Sequence, residues 1–148
     1  MFNDILVAVD LNYAEEQRAV LKVARELAVV HGSRLHVVSI IPDIASALVG
    51  INFSVAERKR VLEQVNTQLH AYVKDVVGDS CPVQHIVDTG KVYEEVLLLA
   101  NKLPIDLIVM GAHQPALSDY LLGSNSARVV RHATCSVFIV RPSEVVSE

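Results

Sequence analysis

The chain is expected to fold as an α/β domain: one open, doubly wound, five-stranded parallel sheet with helices on both faces, a Rossmann-like arrangement. Three observations lead there. Five short runs rich in Val, Ile and Leu alternate with longer stretches of helical periodicity. Several of those runs are nearly continuous in apolar character, as strands covered on both faces are. The alternation of strand and helix requires parallel pairing through right-handed crossovers. At 148 residues, 51% hydrophobic and 20% charged, the chain suits one domain, 1–148, and is too apolar for disorder.

The first strand, Asp4 to Val9, runs into Asp10. A helix follows, opened by Asn12 with Glu15 three positions on, the spacing of a capping box. Val20, Val23, Leu27 and Val30 mark its inner face. The second strand covers Arg34 to Ile40. A long connector, Ile41 to Ser54, then carries Pro42 and Gly50 among Ile44, Leu48, Val49, Ile51 and Phe53. It reads as an extra helical turn packed on the domain, or as cover for a partner.

The second helix begins near Ser54, with Leu62, Val65, Leu69, Tyr72 and Val76 on one face. The third strand, Pro82 to Val87, passes through Asp88-Thr89-Gly90-Lys91 into a third helix lined by Val92, Val96, Leu99 and Leu103. The fourth strand is Asp106 to Met110. A loop, Ala112 to Leu122, leads to a short fourth helix with Ala127, Val130 and Ala133 on one face. The last strand, Ser136 to Val140, is expected at a sheet edge, where unpaired backbone invites another chain.

Several function classes fall away. The net charge is −4 and no basic stripe appears, so nucleic acid is not an expected partner. Glu57-Arg58-Lys59-Arg60 reads as a solvated helix face. No apolar run reaches the roughly 18 residues of a membrane span. The N-terminus, Met1 to Ile5, carries an acid and no basic region ahead of an apolar one, so a cytoplasmic protein is expected. Cys81 and Cys135 lack CxxC spacing and are expected reduced and buried.

The six histidines, His31, His36, His70, His85, His113 and His132, form neither H-x3-H nor HExxH. His36 and His85 lie in apolar strands and His132 near a helix end; all three read as structural. There is no Gly-x-Ser-x-Gly elbow and no GxxxxGK[ST] phosphate loop. No catalytic residue and no metal ligand is assigned.

In doubly wound sheets, ligands bind beyond the carboxyl ends of the strands, where the strand order reverses. The first and fourth strands should flank that point, which directs attention to Asp10 and the segment from Gly111. A helix N-terminus offers unpaired N–H groups and partial positive charge to an anion. The first helix places Glu15 and Glu16 there, the second Glu57, the third Glu94 and Glu95. The fourth begins Gly123-Ser124-Asn125-Ser126-Ala127-Arg128, with no acid in its first turn. Ser124 could serve only as a cap; its position at the predicted switch point favours a ligand.

These residues resemble the universal stress protein family over essentially the whole chain. The resemblance rests on Ile5-Leu6-Val7-Ala8-Val9-Asp10, on Asp88-Thr89-Gly90, and above all on Asp106-Leu107-Ile108-Val109-Met110-Gly111-Ala112-His113 with Leu121-Leu122-Gly123-Ser124 and Val129 to Arg141. The nucleotide-binding branch carries G-x2-G-x9-G-[ST]. Gly111 matches the first glycine and Gly123-Ser124 the last pair. Gln114 replaces the middle glycine, and Pro115 to Leu122 is one residue short, a variant that resembles the F-type subgroup.

The resemblance implies bound ATP, ADP or AMP, with or without Mg2+. It places Ala8, Val9 and Asp10 beside adenine and ribose, Ile40 against the base, Met110 and Gly111 near base and sugar, and Ser124, Asn125, Ser126 and His113 near the phosphates. It also implies a homodimer through Ser136 to Val140 and a regulatory protein partner. The alternatives are an interaction module without nucleotide, and a slow ATPase using a divalent ion held by phosphate oxygens and Asp10.

Overall fold

The structure is a computed structural model that describes residues 1–42, 54–112 and 122–141. The apolar part of the long connector, and His113, Gln114 and Pro115, lie outside the described residues. The elements are β1 (Asp4–Ala8), α1 (Ala14–His31), β2 (Arg34–Ile41), α2 (Val55–Val76), β3 (Val83–Thr89), α3 (Val92–Lys102), β4 (Leu107–Gly111), α4 (Ser124–His132) and β5 (Ser136–Val140). All strand pairs are parallel and the order is β3-β2-β1-β4-β5. The chain winds outward from β1 to β3, then returns to lay β4 on the other side of β1. The switch point therefore falls between β1 and β4, and β5 closes one edge, as the sequence predicts.

Alternation along the central strands sorts the core into two layers. Ile5, Val7, Val109 and Val140 pack with Val20, Leu21, Ala24 and Ala28 of α1 and Leu69, Val73 and Val76 of α2. Leu6, Ala8, Ile108 and Met110 pack the opposite face, with Val96 of α3 and Val129 of α4. Burial of such side chains is the main term holding the layers together, at about 25 cal/mol per Å² of apolar surface.

Four local expectations are corrected. Asn12 does not cap the first helix. Asp10 Oδ1 accepts the Asn12 N–H at 2.9 Å, and Leu11–Tyr13 forms a 3-10 turn before α1 begins at Ala14. An aspartate at the strand end can bond its own backbone two residues on, and here that local bond wins. Val30 is 78% exposed, because the buried stripe of α1 drifts through Ala24 and Ala28. In α4 the buried residues are Ser126 and Val129, while Ala127 and Val130 face outward. Both cysteines are free but only partly buried. Burial still pushes both thiols up, which favours the protonated form.

Side-chain bonds fix the frame around both ends of the sheet. The Tyr72 hydroxyl donates to the Ala14 carbonyl at 2.6 Å, tying α2 to the start of α1, and burial pushes that hydroxyl up to about 12. Arg18 reaches Asp75 at 2.8 Å across the same helix pair. His36, 3% exposed, spans three strands: Nε2 meets Asp4 Oδ1 at 2.8 Å and Nδ1 meets Gln84 Oε1 at 2.6 Å. It is a structural cross-strand residue, as its apolar neighbours suggest.

His85 on β3 stacks on His70 of α2, with ring centroids 3.6 Å apart and planes 16° from parallel. Lys74, Asp79 and Cys81 share the groove they line. Burial, with the neighbouring His70, lowers the His85 pKa. The unfolded chain therefore binds a proton more readily there, so this contribution to stability is present above about pH 6.5 and lost below it. Urea midpoints measured between pH 7.5 and 5 should fall with pH, and His85→Phe should flatten that fall; an unchanged slope in the variant would contradict the assignment.

Candidate functional site

A crevice of about 270 Å³ opens beyond the carboxyl ends of β1, β2 and β4. Its floor is Ala8, Val9 and Asp10 from β1 and the residues after it, Val38 and Ile40 from β2, and Met110 and Gly111 from β4. One wall is the first two turns of α1, through Glu16, Gln17 and Val20; the other is the start of α4, through Gly123, Asn125 and Ser126. The apolar floor follows from the sheet's alternation: its strands are buried on both faces, and where they end, apolar side chains meet solvent beside polar loop residues.

Gly111 sits where β4 passes under α1. A Cβ there would lie 3.1 Å from Gln17 Nε2 and 3.3 Å from Val20 Cγ2, so a side chain would press into the helix. Gln17 Oε1 accepts the Asp10 N–H at 3.3 Å. Glycine thus lets α1 approach β4 closely, and Gln17 uses that approach to hold the end of β1.

The opposite wall is anchored at three points. The Gly123 N–H donates to the Ala112 carbonyl at 2.8 Å. The Ser126 hydroxyl donates to the Gly111 carbonyl at 2.6 Å. Asn125 Oδ1 accepts the Tyr93 N–H at 3.2 Å, capping the first turn of α3. Arg128 lies over the Tyr93 ring, 4.5 Å from its centroid, a cation–π contact that joins the same two helices.

With Gly123 at its N-cap, α4 has no side-chain cap and no acid in its first turn. Its first amides, Ser124, Asn125 and Ser126, have no intrahelical acceptor by geometry. The other helices carry Glu15 and Glu16, Glu57, and Glu94 and Glu95 in their first turns. On α2, Ser54 and Glu57 complete a reciprocal capping box. The end of α4 is therefore the one among these helices left both uncapped and free of negative charge. Among the described residues, no group of three or more His, Cys, Asp or Glu is placed to hold a metal ion.

Of the residues nominated from sequence, Ala8, Val9, Asp10, Ile40, Met110, Gly111, Gly123, Asn125 and Ser126 all line the crevice. Ser124 opens α4 and is exposed, but its side chain does not line the crevice. His113 lies outside the described residues. The hydroxyl of Ser126 is turned to Gly111, so it serves the wall and leaves its amide toward the crevice end of the helix. Sequence reasoning missed Tyr13, Glu16, Gln17 and Val20, which share one face of the turn before α1 and its first turns. Their spacing was legible, but which face meets the sheet end depends on how α1 crosses it. Val92, at the start of α3, also lines the crevice.

Among known proteins, a family model described as the universal stress protein family matches residues 1–141. Universal stress protein G of Escherichia coli O157:H7 is 30% identical over 145 residues, covering 95% of this chain and the whole of that protein. The solved structure of hypothetical protein MJ0577, a universal stress protein of Methanocaldococcus jannaschii, has a TM-score of 0.80 at 22% identity and covers 96% of this chain and 97% of its own. A universal stress protein from Archaeoglobus fulgidus, solved in complex with dAMP, has a TM-score of 0.59 at 20% identity, covering 93% of this chain and 96% of its own. These likenesses in structure carry the fold.

Ser126 is 5% exposed, and its bond to Gly111 is the direct tie between α4 and the strand end. Ser126→Ala removes that donor from the part-buried Gly111 carbonyl and should cost about 0.5–1.5 kcal/mol. Chemical denaturation checks this; a loss below about 0.3 kcal/mol would show that water or another donor takes the hydroxyl's place.

Proposed function

The chain belongs to the universal stress protein family, and from that premise we propose that it binds an adenine nucleotide in the crevice between β1 and β4, as a regulatory module and not as a metabolic enzyme. One observation carries the reading: the acid-free, uncapped N-terminus of α4 stands at the topological switch point of a parallel sheet, beside an apolar floor. A helix end of this kind binds phosphate through its amides and dipole. An apolar slot bordered by a few polar groups is how a base and sugar are held.

In this reading the adenine lies against Ile40 and Val38, with the backbone of Val9 and Met110 at its edge. The ribose sits near Asp10 and Gly111. The phosphate meets the amides of Ser124, Asn125 and Ser126. The dAMP complex of the Archaeoglobus relative supports a nucleotide in this fold. The family resemblance adds ATP or ADP as candidates, with or without Mg2+, and Asp10 is a carboxylate in the crevice lining that could meet such an ion.

The test is direct. The purified protein is denatured and any released nucleotide identified by chromatography; the apo protein is then titrated with AMP and ATP by calorimetry. Gly123→Asp puts a negative charge at the phosphate end, and affinity should fall by more than about tenfold. Wild-type affinity in a folded Gly123→Asp variant would rule out this site.

A second reading concerns assembly, and β5 favours it. Among the described residues its outer edge has no strand partner in the sheet, and Phe138 is 42% exposed. Such an edge invites pairing with another chain, and a second copy supplies an identical strand, so the unit proposed is a homodimer. Sedimentation equilibrium should give twice the chain mass for the wild type and the single chain mass for Phe138→Asp. A monomeric wild type at tens of micromolar would refute the dimer.

A further inference from the structure

From the way α1 crosses the strand ends, we infer that Gln17 reads the sugar of the bound nucleotide, donating a side-chain N–H to a ribose hydroxyl. This rests on the nucleotide reading above and deepens it, and it draws on α1, β1 and β4 alone. Gln17 is half-buried and lines the crevice. Its Oε1 accepts the Asp10 N–H at 3.3 Å. A backbone N–H can only donate, so the atom facing it must be the oxygen, and this bond sets which way round the carboxamide sits. The Nε2 end is thereby turned toward β4, where it lies 3.1 Å from the place a Gly111 Cβ would occupy. The carboxamide thus spans the ends of β1 and β4, at the switch point itself.

Nε2 carries two N–H donors, and among the described residues neither is taken up by a hydrogen bond. A ligand lying over Gly111 has to supply an acceptor, or leave a donor without a partner. The chemistry beside the amide selects that acceptor. Asp10 lines the same crevice, with Oδ1 holding the Asn12 N–H, so a carboxylate stands on the very residue that Gln17 holds. A hydroxyl both accepts and donates. It takes an N–H from Gln17 and turns its own proton to a carboxylate. A phosphate oxygen offers no proton and meets the carboxylate as a like charge.

In the reading above, the ribose is the group that sits near Asp10 and Gly111, the two residues that the Gln17 carboxamide touches. The consequence is selection by sugar: a ribonucleotide binds in preference to the analogue that lacks the hydroxyl Gln17 meets.

The experiment uses the full chain, stripped of bound nucleotide and titrated by calorimetry with AMP, 2′-deoxy-AMP and 3′-deoxy-AMP. Loss of one hydrogen-bonded hydroxyl should weaken binding by about threefold to tenfold for at least one of the analogues. Gln17→Met keeps the length of the side chain and removes the donor, so AMP should weaken by a similar factor and its advantage over that analogue should vanish. A purely positioning role would lower all three ligands alike and leave the ratio unchanged. In the wild type, the Gln17 side-chain amide protons should shift in NMR spectra on adding AMP, and not on adding the weaker analogue. Equal affinity for AMP and both analogues, an unchanged ratio in a folded Gln17→Met variant, or an unmoved Gln17 amide in the AMP-saturated wild type each overturns this inference alone. No binding of any of the three ligands overturns the nucleotide reading and this inference with it.

Discussion

The crevice exists because α4 is pinned, first turn inward, against the end of β4. Ser126 does this from the helix, donating to the Gly111 carbonyl, and Gly123 does it from the approach, donating to Ala112. Both bonds engage groups at the crevice end of α4. Their effect is to aim three helix-end amides across the switch point instead of into solvent. Asn125 extends the fixation to α3 by capping Tyr93, so the two helices form one wall. The opposite wall is fixed as firmly: Tyr72 holds the Ala14 carbonyl, and Gln17 holds the end of β1 over a glycine that gives it room.

Charge is distributed over this frame in a way that backbone geometry alone does not require. The N-termini of the four described α-helices lie at the carboxyl end of the sheet, as parallel crossovers dictate. Three of them neutralise their own dipoles with glutamates, which is the ordinary stabilising choice. The fourth forgoes it, losing the few tenths of a kcal/mol to about 1 kcal/mol that an acid or a cap contributes. On the proposed reading, a ligand beside the concave, apolar floor supplies the missing negative charge. Asp10 and Glu16 line the facing side.

Much of this was legible in the residues themselves. The last strand was read to the residue, and the switch point followed from strand–helix alternation. The acid-free helix start was visible because acids are conspicuous in the other three. Other features depend on contacts that no local pattern records. β3 runs on through Asp88 and Thr89 because the pairing with Ile40 and Ile41 continues past the apolar run. Asp10 and Asn12 compete to shape the same turn, and spacing alone favoured Asn12. At nine residues, α4 is too short for periodicity to identify its inner face, so Ser126, a buried hydroxyl, was passed over in favour of Ala127 and Val130. Glu16 and Gln17 enter the site only through the way α1 lies across β4.

The central claim is that the amides opening α4 hold the phosphate. Titrating isotope-labelled protein with AMP and following backbone amide resonances tests it most directly. The account predicts that Ser124, Asn125 and Ser126 show the largest downfield shifts in the chain, as amides do when they donate to a phosphate oxygen. Saturable binding that leaves those three resonances in place while others move would contradict it.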